Sequence, residues 1–475
     1  MMKDLNPHQE NGKENANLHT ISLVTRYTTG HGTQTASIAA GREVQEESYY
    51  GLAKGVARGG ALIARLTVYK VCWSNMGCYA AGVLAAFDDA SANGVDIISL
   101  SFGGFMSKNY FRNPTALGSF HAVRKGILTI AAARDGTNFS ANYISRDSSR
   151  CFAESLASSR VKGKIVLCDD LGDYGVQMGG GWGVISTLPP SQNYAIPSSF
   201  PSTLITSEEA AKVLKYIKSS NDPKASILFS EAVEDIEAPY VAGFSSRGPN
   251  LDSPDILKPD LSAPGANILP AWPPTIPISR EVLGTKGFKY SILSGTSASC
   301  PHVTGSTAYV KATHPNWSPA AIKSAVMTTA SVTDPKKHAN ENEFEYGSGL
   351  INPAKAVDPG LVFNASEADY VEFLSKATRP KIEVTVTNVG SSNSTYVAII
   401  DMPKSIKVKV KPSALAFSAI GEEKSFTVKV SGSPIFQEPI VSGSITWKHE
   451  KHEVRTPLVL YTVLPSALEE ETFVF

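Results

Sequence analysis

The most informative stretch of this chain is Gly295-Thr296-Ser297-Ala298-Ser299-Cys300-Pro301-His302, and small and apolar residues follow it at 303–308. Ser297 stands between a glycine turn and a helix of small residues, so its hydroxyl is predicted to lie exposed at a helix N-terminus. Backbone N–H groups at such an end, together with the helix dipole, stabilise negative charge that develops on a nearby oxygen atom. The stretch therefore predicts a nucleophilic serine.

A nucleophilic serine needs a base, and His31 is the candidate. It lies in Gly30-His31-Gly32-Thr33-Gln34-Thr35, and small residues continue as far as Gly41. The flanking glycines allow other backbone to approach closely, and the small residues allow a buried helix behind the ring. A histidine between glycines also fits a purely structural role. Its combination with the Ser297 run is what indicates nucleophilic catalysis.

Helix and strand signals alternate between these two runs. Helices are predicted at 80–92 and 115–125, and short apolar strands at 95–100 and 127–132. Helices that connect short buried strands indicate βαβ crossovers and a parallel sheet. A further helix is predicted after Ser318, which is a good N-cap, because Pro319 suits the first helical position.

Two other parts of the chain have patterns of their own. A strand at 161–168 and a helix at 207–218 predict a small α/β unit, preceded by a Ser- and Asn-rich linker at 138–160. From residue 381 onward, apolar residues alternate with polar ones, which is typical of antiparallel strands. Further strands are expected at 407–410, 425–430 and 443–447. Together these strands predict a small β-sandwich.

Composition and charge exclude several classes of protein. The 475 residues suggest two to four domains, and 44 Lys and Arg residues balance 44 Asp and Glu residues. Without a basic stripe, no nucleic-acid partner is expected, and the apolar stretches are too short for a membrane span. No Cys and His spacing suits a zinc site. The polar residues 1–18 lack the apolar core of a signal peptide.

Taken together, the motifs resemble those of the subtilisin-like serine proteases, and in particular the cucumisin-like plant branch. Besides the His31 and Ser297 runs, the resemblance rests on Gly243-Phe244-Ser245-Ser246-Arg247-Gly248-Pro249-Asn250, on Ile256-Leu257-Lys258-Pro259-Asp260-Leu261-Ser262-Ala263-Pro264-Gly265, and on residues 69–73, 317–325 and 385–390. The resemblance extends from about residue 25 to about residue 464.

This resemblance implies an α/β fold: a subtilisin-like catalytic domain with a parallel sheet, an inserted protease-associated α/β domain, and a C-terminal fibronectin-III-like β-sandwich. The expected boundaries are 1–24 for a polar N-terminal segment, 25–137 and 232–378 for the two parts of the catalytic domain, 138–231 for the linker and insert, 379–464 for the sandwich and 465–475 for a tail.

The resemblance also implies a serine endopeptidase that works through an acyl-enzyme. Ser297 would attack the scissile carbonyl and His31 would act as general base. The backbone at Ser101, Phe102 and Gly103 would pair with an extended substrate. Peptides or proteins are the implied substrates, with no metal and no organic cofactor. An extracellular or cell-wall location is implied as well, and a homo-oligomer formed through the appended domains is left open.

Five cysteines allow two interpretations. Either Cys72–Cys78 and Cys151–Cys168 are local disulfides and Cys300 is a buried thiol, or all five are reduced. The secretory ancestry that the resemblance implies favours the disulfides. N-glycosylation sequons that begin at Asn138, Asn364 and Asn393 fit the same setting.

Departures from the family pattern favour an alternative, a catalytically impaired pseudoprotease that binds peptides or proteins. The family's catalytic aspartate lies in a strand well before the histidine, and no residue before His31 fits that pattern. Asp135 stands where the family has its oxyanion-hole asparagine, and a carboxylate there repels the developing charge. The segment after it is short, so at least one strand of the sheet is expected to be missing, as is the first strand of the sandwich.

Overall fold

The computed structural model describes residues 30–73, 77–103, 110–133, 148–188, 194–198, 200–231, 233–250, 253–276, 288–334, 336–338, 341–375, 382–432 and 440–462. Its first part contains, in chain order, α1 (His31–Ala40), β1 (Val44–Tyr49), β2 (Leu52–Ala57), β3 (Cys72–Trp73), β4 (Gly77–Cys78), α2 (Ala80–Ala92), β5 (Ile97–Leu100), α3 (Pro114–Arg124) and β6 (Leu128–Ala131).

A parallel pair of strands forms the centre of this part. β5 pairs with β6 in register from Ile97 opposite Leu128 to Leu100 opposite Ala131. On one face of the pair, α2 and α3 bury Val83, Phe87 and Ala122. The parallel sheet predicted from alternating helices and strands is therefore present, and within the described residues it has two strands.

A second α/β unit follows. It contains α4 (Ser158–Val161), β7 (Ile165–Cys168), α5 (Asp173–Met178), β8 (Gly183–Thr187), β9 (Ser202–Ile205) and α6 (Ser207–Ser219). The three strands form a parallel sheet in the order β7-β8-β9, with the Cys151–Cys168 disulfide in its core. The strand expected at 161–168 begins four residues late, because Val161 ends a helix and Gly163 turns the chain with a φ of 73°.

Two helices cover the other face of the β5–β6 pair. They are α7 (Thr296–Thr313) and α8 (Pro319–Thr328), and their buried residues Val310, Ile322 and Val326 pack with Leu128. The start of α8 confirms the sequence prediction, since the Ala321 N–H donates to the Ser318 hydroxyl and Pro319 is the first helical residue. In the α/β part of the molecule, the β5–β6 sheet thus lies between two layers of helices. α2 and α3 cover one face, and α7 and α8 cover the other.

The C-terminal part is a sandwich of two antiparallel four-stranded sheets. Two short helices of the α/β part come before it, α9 (Glu343–Tyr346) and α10 (Pro353–Ala356). The sandwich itself contains β10 (Leu361–Val362), α11 (Glu367–Ser375), β11 (Ile382–Asn388), β12 (Ser394–Asp401), β13 (Ile406–Lys411), β14 (Ala414–Phe417), β15 (Glu423–Gly432), β16 (Ile440–His449) and β17 (His452–Tyr461). The sheets run β10-β11-β15-β13 and β14-β12-β16-β17, and Tyr396, Leu415 and Trp447 fill the core between them. The predicted sandwich is confirmed.

The sequence suggests that the first strand of the sandwich is missing. The structure has a short strand, β10, at one edge of the sheet β10-β11-β15-β13. β10 has two residues, precedes α11 and pairs antiparallel with the end of β11. Its residues Leu361 and Val362 are almost fully buried. β10 therefore protects part of an edge that would otherwise expose unpaired backbone groups.

The sandwich packs directly against the first part of the molecule. Arg455 of β17 forms an ion pair with the buried Glu343 of α9 at 3.2 Å. The ring of Tyr461 meets Phe344 edge to face, and the Tyr461 hydroxyl donates to the Pro254 carbonyl at 2.7 Å. The last strand of the sandwich therefore contacts both α9 and the segment at Pro254.

The cysteines adopt the first of the two arrangements considered from the sequence. Cys72–Cys78 and Cys151–Cys168 are disulfides, and Cys300 is a buried free thiol. Among the described residues, no helix has both the length and the apolar character needed to cross a membrane.

Candidate active site

Ser297 lies in the first turn of α7, as the sequence predicts. The preceding Gly295 has a φ of 151°, which residues with a side chain rarely adopt, so the sharp entry into the helix requires glycine here. Ser297 is half-buried, and its Oγ donates a hydrogen bond to the Ser101 carbonyl at 3.1 Å. The nucleophile candidate thus faces the end of β5.

The segment 263–265 holds the start of α7 from one side. The Gly295 N–H donates to the Gly265 carbonyl at 2.8 Å, and the Ser299 hydroxyl donates to the Ala263 carbonyl at 3.0 Å. A Cβ added to Gly265 would lie 2.2 Å from the Ser299 Oγ. The close approach of these two backbone segments explains why glycine stands at position 265.

The ends of both central strands meet the same turn of α7. The Thr296 hydroxyl donates to the Ala133 carbonyl just beyond β6. Cys300 donates from its Sγ to the carbonyls of Leu100 and Ile130, at 3.4 and 3.6 Å. In open α/β sheets, ligands bind outside the carboxyl ends of the strands, which is where Ser297 lies.

His31 is the first residue of α1, and it is half-buried. A Cβ on the preceding Gly30 would lie 2.5 Å from the ring of Trp272, so a side chain, and not the backbone that the sequence predicts, approaches this glycine. α1 packs against α7 where Gly305 lies close to Ala39 and Gly60. His31 and Ser297 therefore begin two helices that are in direct contact.

The three residues expected to bind substrate have different surroundings. Ser101 is half-buried against α7, and Phe102 packs on the cluster that contains Val83 and Phe87. Gly103 is exposed, and among the described residues, which leave out 104–109, no atom would lie within 4 Å of a Cβ added to it. Asp135, the residue at the expected oxyanion position, lies outside the described residues.

His302, the last residue of the stretch 295–302, has a polar contact within its own helix. Its Nδ1 lies 2.9 Å from the Ala298 carbonyl, one helical turn earlier. Burial lowers the pKa of His302 below its ordinary value, so the ring is neutral at neutral pH. His302 therefore contributes to the packing of α7, the helix that carries Ser297.

Sequence reasoning missed the side chain of Ser101. Its hydroxyl donates to the Ser297 carbonyl at 3.0 Å, so the two serines exchange a pair of hydrogen bonds. The signal that could have revealed it is Pro301, since a proline inside a helix leaves one carbonyl without its usual donor. Across the described ranges, no group of three or more His, Cys, Asp or Glu residues could hold a metal ion.

Known proteins match almost the whole chain. The subtilase family model matches residues 5–349, and a fibronectin type-III domain model matches residues 370–460. Subtilisin-like protease SBT4.3 of Arabidopsis thaliana is 38% identical over 540 residues, which covers 92% of this chain and 73% of the relative. Subtilisin-like protease SBT4.9 of the same plant is 37% identical over 516 residues, with coverages of 92% and 72%.

The relatives are longer than this chain within the aligned region. The alignment with SBT4.3 spans more residues than the 475 of this chain, so the relative carries segments that have no counterpart here. The subtilase family model nevertheless matches well over half of the chain. The chain therefore belongs to the subtilase family of serine-type proteases and carries a fibronectin type-III domain near its C-terminal end.

Proposed function

We propose that this chain is a serine endopeptidase in which Ser297 is the nucleophile and His31 is the general base. The observation that carries the proposal is the position of Ser297 in the first turn of α7, directly after the strained turn at Gly295. Its support comes from α1, which begins at His31 and packs on α7.

The proposed chemistry follows from these positions. The Ser297 Oγ turns from the Ser101 carbonyl and attacks the carbonyl carbon of the scissile bond, while its proton passes to a ring nitrogen of His31. The N-terminal end of α7 carries the positive end of the helix dipole and backbone N–H groups, which suit the oxygen that becomes negative. His31 then protonates the leaving amine, and a water molecule releases the acyl group by the same route.

An extended peptide is the proposed substrate. Backbone groups at 101–103 would add it as a strand, which is a common way for proteins to bind peptides in an extended form. The space around Gly103 that the described residues leave open supports this role, because a neighbouring chain can approach the backbone there without meeting any of their side chains.

A catalytically impaired peptide-binding protein is the second candidate. Asp135 at the oxyanion position and the lack of a fitting aspartate before His31 favour it, and so do the segments that the relatives have in addition. Loss of the aspartate alone lowers turnover by about 10⁴-fold in a related enzyme, and loss of an oxyanion donor by about 10²–10³-fold. In this second candidate function, the backbone at 101–103 still binds peptides but the bound peptide is not cleaved efficiently.

The remaining features are proposed from the family. The unit at 138–231 would be an inserted protease-associated domain, and the protein would be secreted to the cell wall or the extracellular space. Asn364 and Asn393 are both exposed, so both are proposed as glycan sites. Contacts between copies through the appended domains remain a proposal as well.

Fluorophosphonate labelling of the purified chain tests the proposal. The probe modifies a serine only when a base activates it, and mass spectrometry then locates the adduct. We expect an adduct at Ser297 that is absent in Ser297→Ala and strongly reduced in His31→Ala. Thr313→Ala is the matched control, since it removes a hydroxyl at the far end of α7 that donates to the Tyr309 carbonyl of the same helix, and it should leave the labelling intact.

Two outcomes separate the candidates. Labelling at Ser297 together with hydrolysis of a peptide substrate supports the endopeptidase. No labelling in a sample that unfolds cooperatively would reject it, and retained binding of an extended peptide would then favour the second candidate.

A further inference from the structure

Pro301 interrupts the backbone hydrogen bonds of α7. In a helix, each N–H donates to the carbonyl four residues earlier, and proline has no N–H. The carbonyl that loses its donor in this way belongs to Ser297, the proposed nucleophile. Pro301 itself is buried in the helix, so another element has to supply a replacement donor.

Ser101 supplies that donor. Its Oγ donates to the Ser297 carbonyl at 3.0 Å, and the Ser297 Oγ donates back to the Ser101 carbonyl at 3.1 Å. The two bonds form a closed ring between the end of β5 and the first turn of α7. One of them holds the backbone of Ser297 and the other holds its side chain.

The strand keeps Ser101 in place. Ser99, two residues earlier and therefore on the same side of the strand, accepts a hydrogen bond from the Thr304 hydroxyl at 2.8 Å. Phe102 packs against the apolar cluster around Phe87. The Ser101 hydroxyl is thus presented to α7 from a segment that is fixed on both of its sides.

We propose that the Ser101 hydroxyl is a positioning group for the nucleophile, because it replaces the hydrogen bond that Pro301 removes from α7. The inference rests on the proposed function and gives the Ser101 side chain a role separate from the pairing of its backbone with substrate. With the hydroxyl present, the Ser297 backbone keeps one orientation. Without it, the Ser297 carbonyl has no donor and the first turn loosens.

A double-variant cycle tests this inference. Ser101→Ala should slow fluorophosphonate labelling at Ser297 by about tenfold, which is the size expected when one hydrogen-bond partner is orphaned. Pro301→Ala restores an N–H at position 301, so Ser101→Ala should slow labelling much less when it is combined with Pro301→Ala. Ser101→Thr retains the hydroxyl and should recover most of the lost rate.

Thr313→Ala is the matched control for this cycle. It removes a hydroxyl that also donates to a carbonyl of α7, that of Tyr309, but at the exposed far end of the helix. It should leave the labelling rate unchanged. An equal loss from Ser101→Ala with and without the Pro301→Ala change would overturn the inference, because a packing role does not depend on the donor at position 301.

A second readout keeps the inference separate from the proposed function. If Ser297 is never labelled, the proposed endopeptidase activity is rejected. The same set of variants can still be compared by the midpoint temperature of thermal unfolding. Ser101→Ala should lower that midpoint when Pro301 is present and lower it less when Pro301→Ala accompanies it. Equal shifts in the two cases would overturn the positioning role whether or not the chain is active.

Discussion

Single residues set the geometry around Ser297, and each acts through a definite backbone constraint. Gly295 adopts a φ of 151°, and Gly265 lies too close to Ser299 to carry a side chain. Pro301 removes one helical hydrogen bond, which Ser101 replaces. Cys300 lies between these residues with its thiol against both central strands. At this scale the site is built from close backbone approaches.

Cys300 is predicted to be unreactive in the folded protein. Burial raises the pKa of its thiol, so the thiolate is scarce at neutral pH, and reagents have no access to the sulfur. Alkylation with iodoacetamide at about pH 8, just below the ordinary thiol pKa, should leave the native chain unmodified by mass spectrometry. In denaturant without a reductant, a single alkyl group should appear, at Cys300, because the other four cysteines are in disulfides.

Two results would contradict the prediction for Cys300. Rapid alkylation of the native chain would mean that the first turn of α7 opens readily and is not packed on β5 and β6 as described. More than one alkyl group in the unreduced, denatured chain would mean that a disulfide is absent.

At the scale of elements, the contact between α1 and α7 relates the two candidate catalytic residues. The helices approach closely because small residues face each other at the crossing. A Cβ on Gly305 would lie 2.8 Å from the Gly60 Cα and 3.0 Å from the Ala39 carbonyl oxygen. His31 begins the helix on one side of this contact and Ser297 begins the helix on the other side.

Gly305→Ala is predicted to separate α1 from α7 and to reduce labelling at Ser297 by at least tenfold. The added methyl group meets backbone atoms that cannot turn away, so the helices must move apart and His31 moves with α1. Overpacking of this kind destabilises a protein by about 1–3 kcal/mol. The labelling rate and thermal unfolding together measure both effects.

Gly82→Ala is the matched control for Gly305→Ala. Gly82 also lies within a helix, α2, but a Cβ there would meet no atom within 4 Å. Since alanine has the higher helix propensity, this change should raise stability by about 0.5–1 kcal/mol and leave labelling unchanged. Identical behaviour of the two variants would show that the helix crossing is not tight.

At the scale of the whole molecule, the sandwich and the α/β part share a buried interface. Glu343 is 3% exposed, and its partner Arg455 comes from the last strand of the sandwich. Arg455 also donates to the Ser348 carbonyl at 3.3 Å. Nearby, Ala321 and Ala325 of α8 pack with Val362 of β10. The two parts are therefore expected to unfold together.

Arg455→Ala is predicted to lower the free energy of unfolding by about 3 kcal/mol or more, because it leaves the buried Glu343 carboxylate without its cation. Denaturant unfolding measures the change. Lys448→Ala is the control, since Lys448 pairs with Glu453 on the surface of the sandwich and should contribute less than about 1 kcal/mol. The combination of Arg455→Met with Glu343→Gln should recover part of the loss, and no recovery would argue against an electrostatic cause.

The elements that sequence patterns located correctly are those whose signals are local. The helix after Ser318 has its cap and its proline within two residues of each other, and α2 and α3 have an apolar face of their own. The patterns missed β17, because Pro457 lies inside it and proline is rare in strands. It is tolerated there because β17 is an edge strand of its sheet.

The family, the order of the parts, and Ser297 and His31 as the candidate catalytic pair were all predictable from the amino-acid sequence. These depend on residue types at short and fixed spacings. The sequence left the state of the five cysteines open, and it was the folded structure that showed the two local disulfides, the hydrogen bond from Ser101 to Ser297, β10 at the edge of the sandwich and the contact of Arg455 with Glu343. Ser101 and Ser297 are 196 positions apart, and Arg455 and Glu343 are 112 apart. Such contacts form only when distant faces pack together, and no local pattern specifies which faces will meet.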